Sequence, residues 1–345
     1  MKSDDFKTIF RAAFDDPPRW RNWFFSEVAC DEAQIRTLPD RDGHPSAAML
    51  MQPYAFRFHG AELRSEYISC VATLPAARSQ GLATRLMEQS LADAAARGVA
   101  LCELIPADDA LYGFYRRSGF APVFYAREDR YTALHRFDCA AGQLTAPSYD
   151  ILHRLETRLG CGVLHSAADY SHILADMAID GGDICLAARD GSREAILFAV
   201  ADSGGVRVKC MLADSEGVAM TVLAALRQHV GDAPLRVLRP ADGGGVIRRS
   251  GMARILRPAD LLAAVAAAHP GLRVTVSLRD SLLPANDGLY TIADGRCAVD
   301  RGAAGRHADL DVDTTVLADI LFGTHRTGNI VGIPSRRPFM ALMLD

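Results

Sequence analysis

Arg78, Gly81 and Ala83 lie in "VATLPAARSQGLATRLM", between an alternating segment that ends at Thr73 and an amphipathic run from Leu82 to Arg97. In a strand–turn–helix, those residue types can hold an anion. The first turn of a helix carries unbonded N–H groups and the positive end of the helix dipole. Gly81 has no Cβ to keep a diphosphate from the main chain, Ala83 keeps the next turn low, and Arg78 adds charge. The strand end at Val71, Ala72 and Thr73 offers main-chain groups to an amide-containing ligand.

The spacing alone is weak, because Arg/Gln-x-x-Gly-x-Gly/Ala starts four times, at Arg78, Arg116, Gln228 and Arg248. The Arg116 and Gln228 matches end helical patterns and have Pro122 and Pro234 after them. The Arg248 match leads into "RIL", which does not open a helix. Only Arg78 has a strand before it and a long helix after it.

The elements that must position this turn are legible on either side. "DDFKTIFRAAF" and "PRWRNWFFSEVA" read as helices, the second with Pro18 near its start. "PSAAMLMQPYAFRF" and "AELRSEYISCVATL" read as strands separated by His59 and Gly60. After the helix stopped at Gly98 come a short buried strand in "VALCELIP", a helix in "DDALYGFYRRSG" and a returning strand "FAPVFYAREDRYTALHRF". "AAGQLTAPS" reads as a linker. From Tyr149 to about Arg257 the order of helices and strands echoes the first third, with a loop at Asp242 to Gly245. The last segment holds a helix from Ala259, strands through "DLDVD" with a hairpin at Asp294 and Gly295, and a helix "TTVLADILFG" capped by Asp313 or Thr314.

Composition narrows the class. At 345 residues, two or three domains are expected. The net charge of -4 offers no basic field for nucleic acid. The N-terminus has no long apolar run, so no secretory signal is expected, and "LLAAVAAA" from Leu261 is too short to span a bilayer. Eight cysteines with no C-x-x-C pair, and ten dispersed histidines, read as buried thiols without disulfides or metal. A cytoplasmic location is the expectation, with no membrane partner.

"VATLPAARSQGLATRLM" followed by "LYGFYRRSGFAPV" resembles the acetyl-CoA-binding core of the GCN5-related N-acetyltransferases (GNAT), over roughly residues 9–137. The resemblance implies that Val71, Ala72 and Thr73 hold the pantetheine arm. It implies that Arg78, Ser79, Gln80, Gly81, Leu82, Ala83 and Thr84 hold the diphosphate. The rest of the chain is similar to the enhanced-intracellular-survival (Eis) branch, "LRVTVSLRDSLLPANDGLYTIADGRCAVD" matching its sterol-carrier-protein-like end. The implied fold is α/β (α+β): two tandem mixed-sheet GNAT lobes, catalytic at 1–138 and without a cofactor site at 139–258. A sterol-carrier-protein-like domain follows at 259–345, its C-terminal tail reaching the active site.

That resemblance also assigns roles. Tyr115, four residues before Gly119, is the expected general acid, with Tyr112 its rival on nearly the same helical face. The base is the terminal carboxylate or side chain of Asp345, at the end of the apolar tail "PFMALMLD", or else Glu66. Trp20, Trp23, Phe24 and Tyr54 are expected to line the acceptor pocket, though Phe24 also reads as helix-packing core. Asp108 and Asp109 either attract a cationic amine or cap a helix. The expectation is an acetyl-CoA-dependent, metal-free N-acetyltransferase acting on a primary amine of a small molecule or lysine, in a homo-oligomer. The alternative is a non-enzymatic binder whose C-terminal domain takes an apolar ligand.

Overall fold

The computed structural model describes residues 2–137, 140–179, 184–241, 246–303, 305, 307–324 and 332–344. The first helix, α1 (Lys2–Ala13), buries Phe6, Ile9 and Phe10 at the expected three-and-four spacing. α2 (Pro18–Trp23) has Pro18 in its first turn and continues into a π turn at Phe24–Val28. β1 (Ile35–Pro39) precedes a long hairpin of β2 (Pro45–Phe58) and β3 (Ala61–Thr73). Then come α3 (Leu82–Ala96), β4 (Leu101–Leu104), α4 (Asp109–Arg116) and β5 (Ala121–Tyr131).

The middle of the chain forms β6 (Gln143–Thr145), α5 (Tyr149–Leu159), β7 (Cys161–Leu164), α6 (Ala167–Ile179), β8 (Ile184–Asp190), β9 (Arg193–Asp202), β10 (Gly205–Ala213), α7 (Glu216–Val230) and β11 (Leu235–Pro240). The last part forms β12 (Val246–Ile255), α8 (Pro258–Ala268), β13 (Val274–Arg279), β14 (Gly288–Ala293), β15 (Arg296–Asp300), β16 (Leu310–Asp313) and α9 (Thr314–Leu321). Asp313, not Thr314, caps α9, its carboxylate accepting the Val316 N–H at 2.9 Å. The expected loop at 242–245 lies outside the described residues.

The expected linker is partly a strand: Leu144 of β6 registers with Ala188 of β8. Its small polar composition hid an edge strand of only three residues. β1 was also unread, because its burial does not alternate and Ile35 and Leu38 alone are buried.

Two compact units emerge, residues 1–124 with 251–338, and residues 125–250 with 339–344. In the first, the sheet runs β1-β2-β3-β4-β12. β3 and β4 are parallel and the other neighbours antiparallel, with α3 as the crossover that a parallel step requires. One face is filled by Leu82, Leu86, Met87 and Leu91 of α3 packing on Met49, Ile68, Cys102 and Leu104. The same unit carries a four-stranded sheet, β15-β14-β13-β16, itself mixed.

The second unit repeats that plan. Its sheet runs β5-β11-β10-β9-β8-β6, with β10 and β11 parallel and α7 as their crossover. The residues at 339–344 return here. Phe339 makes a parallel bridge with Gly162, and Phe339, Ala341 and Leu342 join the core of Ile151, Leu155 and Phe198.

Candidate active site

β3 and β4 keep register only from Ser65–Leu101 to Tyr67–Glu103. β3 continues to Thr73, whereas β4 ends at Leu104, so the two strands part just beyond Tyr67. Between Ser69 and Ala72 the register with β2 slips by one residue, a bulge marked by Cys70 at φ +54. A bulge turns the strand and re-aims its main-chain groups. Val71 lies in the bulge and Ala72 and Thr73 just past it, paired to Ala48 and Ala47 of β2, and none of the three faces a β4 register partner among the described residues.

The chain then crosses 74–81 and enters α3. Gly81 is the helix N-cap at φ +72, a conformation L side chains rarely adopt, and a Cβ built there meets nothing within 4 Å. No side chain caps this end, and the first helical bond is Arg85 N–H to the Gly81 carbonyl, 3.0 Å. The N–H groups of Leu82, Ala83 and Thr84 precede it and have no helical acceptor. Arg78 is exposed, its Nε donating to the Thr73 carbonyl at 3.4 Å. The other three pattern glycines do different work: Gly119 follows α4, Gly231 ends α7, and Gly251 lies inside β12. Only Gly81 opens a helix.

The second unit has the same strand–helix order without the turn. Between β10 and α7 lie two residues, Asp214 and Ser215, and α7 opens on Glu216. Asp214 already accepts the Glu194 N–H at 2.8 Å. This turn is short and flanked by acidic residues.

Residues 2–123 match the family model described as an acetyltransferase (GNAT) domain. This segment is an acetyltransferase domain. The chain is accordingly an acetyltransferase, its GNAT domain built on the β3–turn–α3 unit. Its fold is similar to that of a conserved Enterococcus faecalis V583 protein described as a probable N-acyltransferase, with TM-score 0.76 and 18% identity over 93% of this chain and 87% of that one. A GCN5-related N-acetyltransferase from Kribbella flavida gives 0.72 and 17%, over 96% and 88%. Eis1 from Mycobacterium abscessus gives 0.70 and 17%, over 96% and 90%. No curated protein sequence matches this chain.

Within the GNAT domain, Tyr115 is buried in the core that holds Leu82, Leu86, Cys102, Leu104 and Phe120. Burial, with the Asp108 charge adding to it, pushes its phenol up to about 12, so it keeps its proton throughout the working range. Tyr112 is only half-buried against the same cluster. Asp108 caps α4 by accepting the Ala110 and Leu111 N–H groups at 2.8 and 3.0 Å.

Trp20 stacks on Phe24 with ring centroids 4.8 Å apart, and Phe24 is fully buried against Phe10. Trp23 is half-buried, 6.4 Å from Trp20. Tyr54 lies apart from that cluster in chain position, on β2, edge-on to Tyr67 at 6.5 Å.

Glu66, the alternative base, is already paired. It is buried and held by Arg97 Nη2 through both oxygens at 2.8 Å. Asp345 lies outside the described residues. The sequence reading missed the Cys70 bulge and Glu103. A single acid in the otherwise apolar "VALCELIP" was the signal for the second. Among the described residues no three His, Cys, Asp or Glu side chains gather to hold a metal, and no helix is long and apolar enough to cross a membrane.

Proposed function

We propose that this acetyltransferase moves the acetyl group of acetyl-CoA onto a primary amine, of a small molecule or a lysine side chain. The observation that carries the reading is the open, uncapped α3 N-terminus at Gly81, set immediately after a bulged strand whose neighbour has diverged. The turn from Arg78 to Thr84 binds the diphosphate through main-chain N–H groups and the helix dipole. Val71 to Thr73 bind the pantetheine amides, and a main-chain N–H there polarises the thioester carbonyl. Tyr115 donates its proton to the departing thiolate, which its protonated state at neutral pH permits.

The fold match to Eis1 supports the Eis-like branch, in which 139–258 is a second lobe without a cofactor site and 259–345 is like sterol carrier protein. The two-residue acidic turn before α7 supports the missing second site.

The test is acetyl-CoA titration by calorimetry, then thiol release with a panel of amines. Gly81→Val should abolish detectable acetyl-CoA binding while the protein still melts cooperatively. Tyr115→Phe should keep wild-type affinity and lose about 10²-fold in kcat, the size usual for a positioned acid, with Tyr112→Phe much milder. Wild-type protein that binds no acetyl-CoA would overturn the reading, and equal losses in the two tyrosine variants would remove Tyr115 from its role.

A further inference from the structure

Glu103 is the last residue of β4 to hold register with β3, at the point where the two strands part. Its side chain is wholly buried, and neither carboxyl oxygen has a hydrogen-bond partner. Such a group is costly to keep unless it has work to do. The pleat places Glu103 on one face of the sheet with Tyr67 and Ser65 of β3 and, through the β2 register, with Gln52 and Tyr54. That face is opposite the one on which α3 packs against Cys102 and Leu104. These four side chains are polar or phenolic and all are buried.

The other buried acid of residues 2–123, Glu66, is paired with Arg97. Glu103 is the buried acid of this segment with open lone pairs.

We propose that Glu103 is the catalytic base that takes the proton of the acceptor ammonium. This rests on the acetyl-transfer reading above. A Glu103 carboxylate oxygen accepts one proton from R–NH3+, freeing the nitrogen lone pair. The N–C bond to the acetyl carbon forms and the C–S bond breaks. Tyr115 gives its proton to the thiolate and recovers one from the nitrogen as the amide forms, and Glu103 later releases its proton to solvent.

The electrostatics suit this work. Burial raises the Glu103 carboxyl to about 8, within the range in which a base can both take and release a proton near neutrality. The Ser65 hydroxyl and the Glu103 main-chain N–H lie alongside and pull the other way, although the Ser65 hydroxyl donates to the Tyr54 carbonyl at 3.4 Å. The Glu66 charge on β3 adds to the rise. From β3 the facing titratable group is the Tyr67 phenol, and from β2 it is Tyr54. β12 places Ala253 opposite, with Arg254 on the other face, and α1 buries only Phe6, Ile9 and Phe10.

The test compares a strongly basic alkylamine with a weakly basic aromatic amine, which needs no base to free its lone pair. Glu103→Gln keeps the shape and removes the titration. It should cost about 10²-fold or more in kcat/KM with the alkylamine and erase a rising limb near pH 8. It should cost far less with the aromatic amine and leave acetyl-CoA affinity unchanged. Glu103→Asp should restore part of the rate and the limb, and it serves if the glutamine variant does not fold.

Equal losses with both amines, or an unchanged pH profile, would overturn the proposal. So would a chain extended beyond residue 345 that loses the limb while Glu103→Gln keeps it, because the base would then be terminal. Wild-type protein that releases no thiol with any amine would overturn the acetyl-transfer reading itself, and wild-type turnover with a normal Glu103→Gln would overturn this inference alone.

Discussion

Tyr115 and Glu103 are both buried ionisable groups, and burial raises the pKa of each. Tyr115 stands at a recognisable distance from Gly119, whereas Glu103 reads as one polar residue in a four-residue strand. Its meaning comes from what the fold denies it, a hydrogen-bond partner for either carboxyl oxygen. That denial predicts a pH dependence of stability. The carboxyl rises from 4.5 to about 8 on folding, so the folded state favours the protonated form. The associated stability is complete below pH 4.5 and is lost as pH rises through about 8. Wild-type melting temperature should therefore fall across that window more steeply than that of Glu103→Gln, measured by calorimetry in matched buffers. Parallel curves would show that Glu103 ionises as freely in the native state as in the unfolded chain.

At the scale of elements, the β3–turn–α3 unit was readable because each part has a local cause. β3 alternates in burial over Ala61 to Arg64 before its buried stretch, Gly81 starts a helix and Gly98 follows its end. The bulge at Cys70 was not readable, since it depends on the register between two strands rather than on either sequence. The C-terminal tail shows the same division. Its apolar character announced burial, and residues Phe339 to Leu344 are all buried, but no local pattern names the core of Ile151, Leu155 and Phe198 that receives them. In the second unit, the Val163 N–H donates to the Phe339 carbonyl and the Phe339 N–H donates to the Cys161 carbonyl, both at 3.2 Å. Gly162 makes that approach possible. A Cβ there would lie 2.2 Å from the Phe339 carbonyl oxygen, with φ at +143. Nearby, the buried His165 binds the Glu156 carboxylate through Nδ1 at 2.6 Å. Gly162→Ala should displace the tail at a cost of about 1–3 kcal/mol, the range for overpacking a close contact. Hydrogen exchange should speed up at 339–344, and carboxypeptidase should trim the variant faster. Unchanged protection of those residues would show that the tail is held without this bridge.

At the scale of the whole molecule, the repeated order of strands and helices was legible as an echo, because β8-β9-β10-α7-β11 and β1-β2-β3-α3-β4 follow one plan. The partner that β4 takes on its far side was not. Met252 to Ile255 of β12 register with Leu104 to Leu101, and a pairing so distant in sequence leaves no local trace. Nor do its supports. Arg254 is buried and bonds Asp280 at 2.5 Å as well as the Thr314 hydroxyl, while Asp280 also accepts the Leu282 and Leu283 N–H groups and the Asn286 amide. The guanidinium lies under Gly119, where a Cβ would come within 2.7 Å of Nε. Residues far along the chain thus brace the turn that follows α4 and Tyr115. Asp280→Ala would leave the guanidinium buried without its counter-charge, which costs about 3–5 kcal/mol. The double variant Arg254→Met with Asp280→Leu should recover most of that loss, because a packed apolar pair needs no desolvation to be repaid. Calorimetry measures both effects. Hydrogen exchange should show that Asp280→Ala loosens 280–286 and 109–120 together, and the tyrosine-dependent thiol release should fall with them. Loosening confined to 280–314, with α4 as protected as in the wild type, would mean that the GNAT domain holds Tyr115 without help from the later chain.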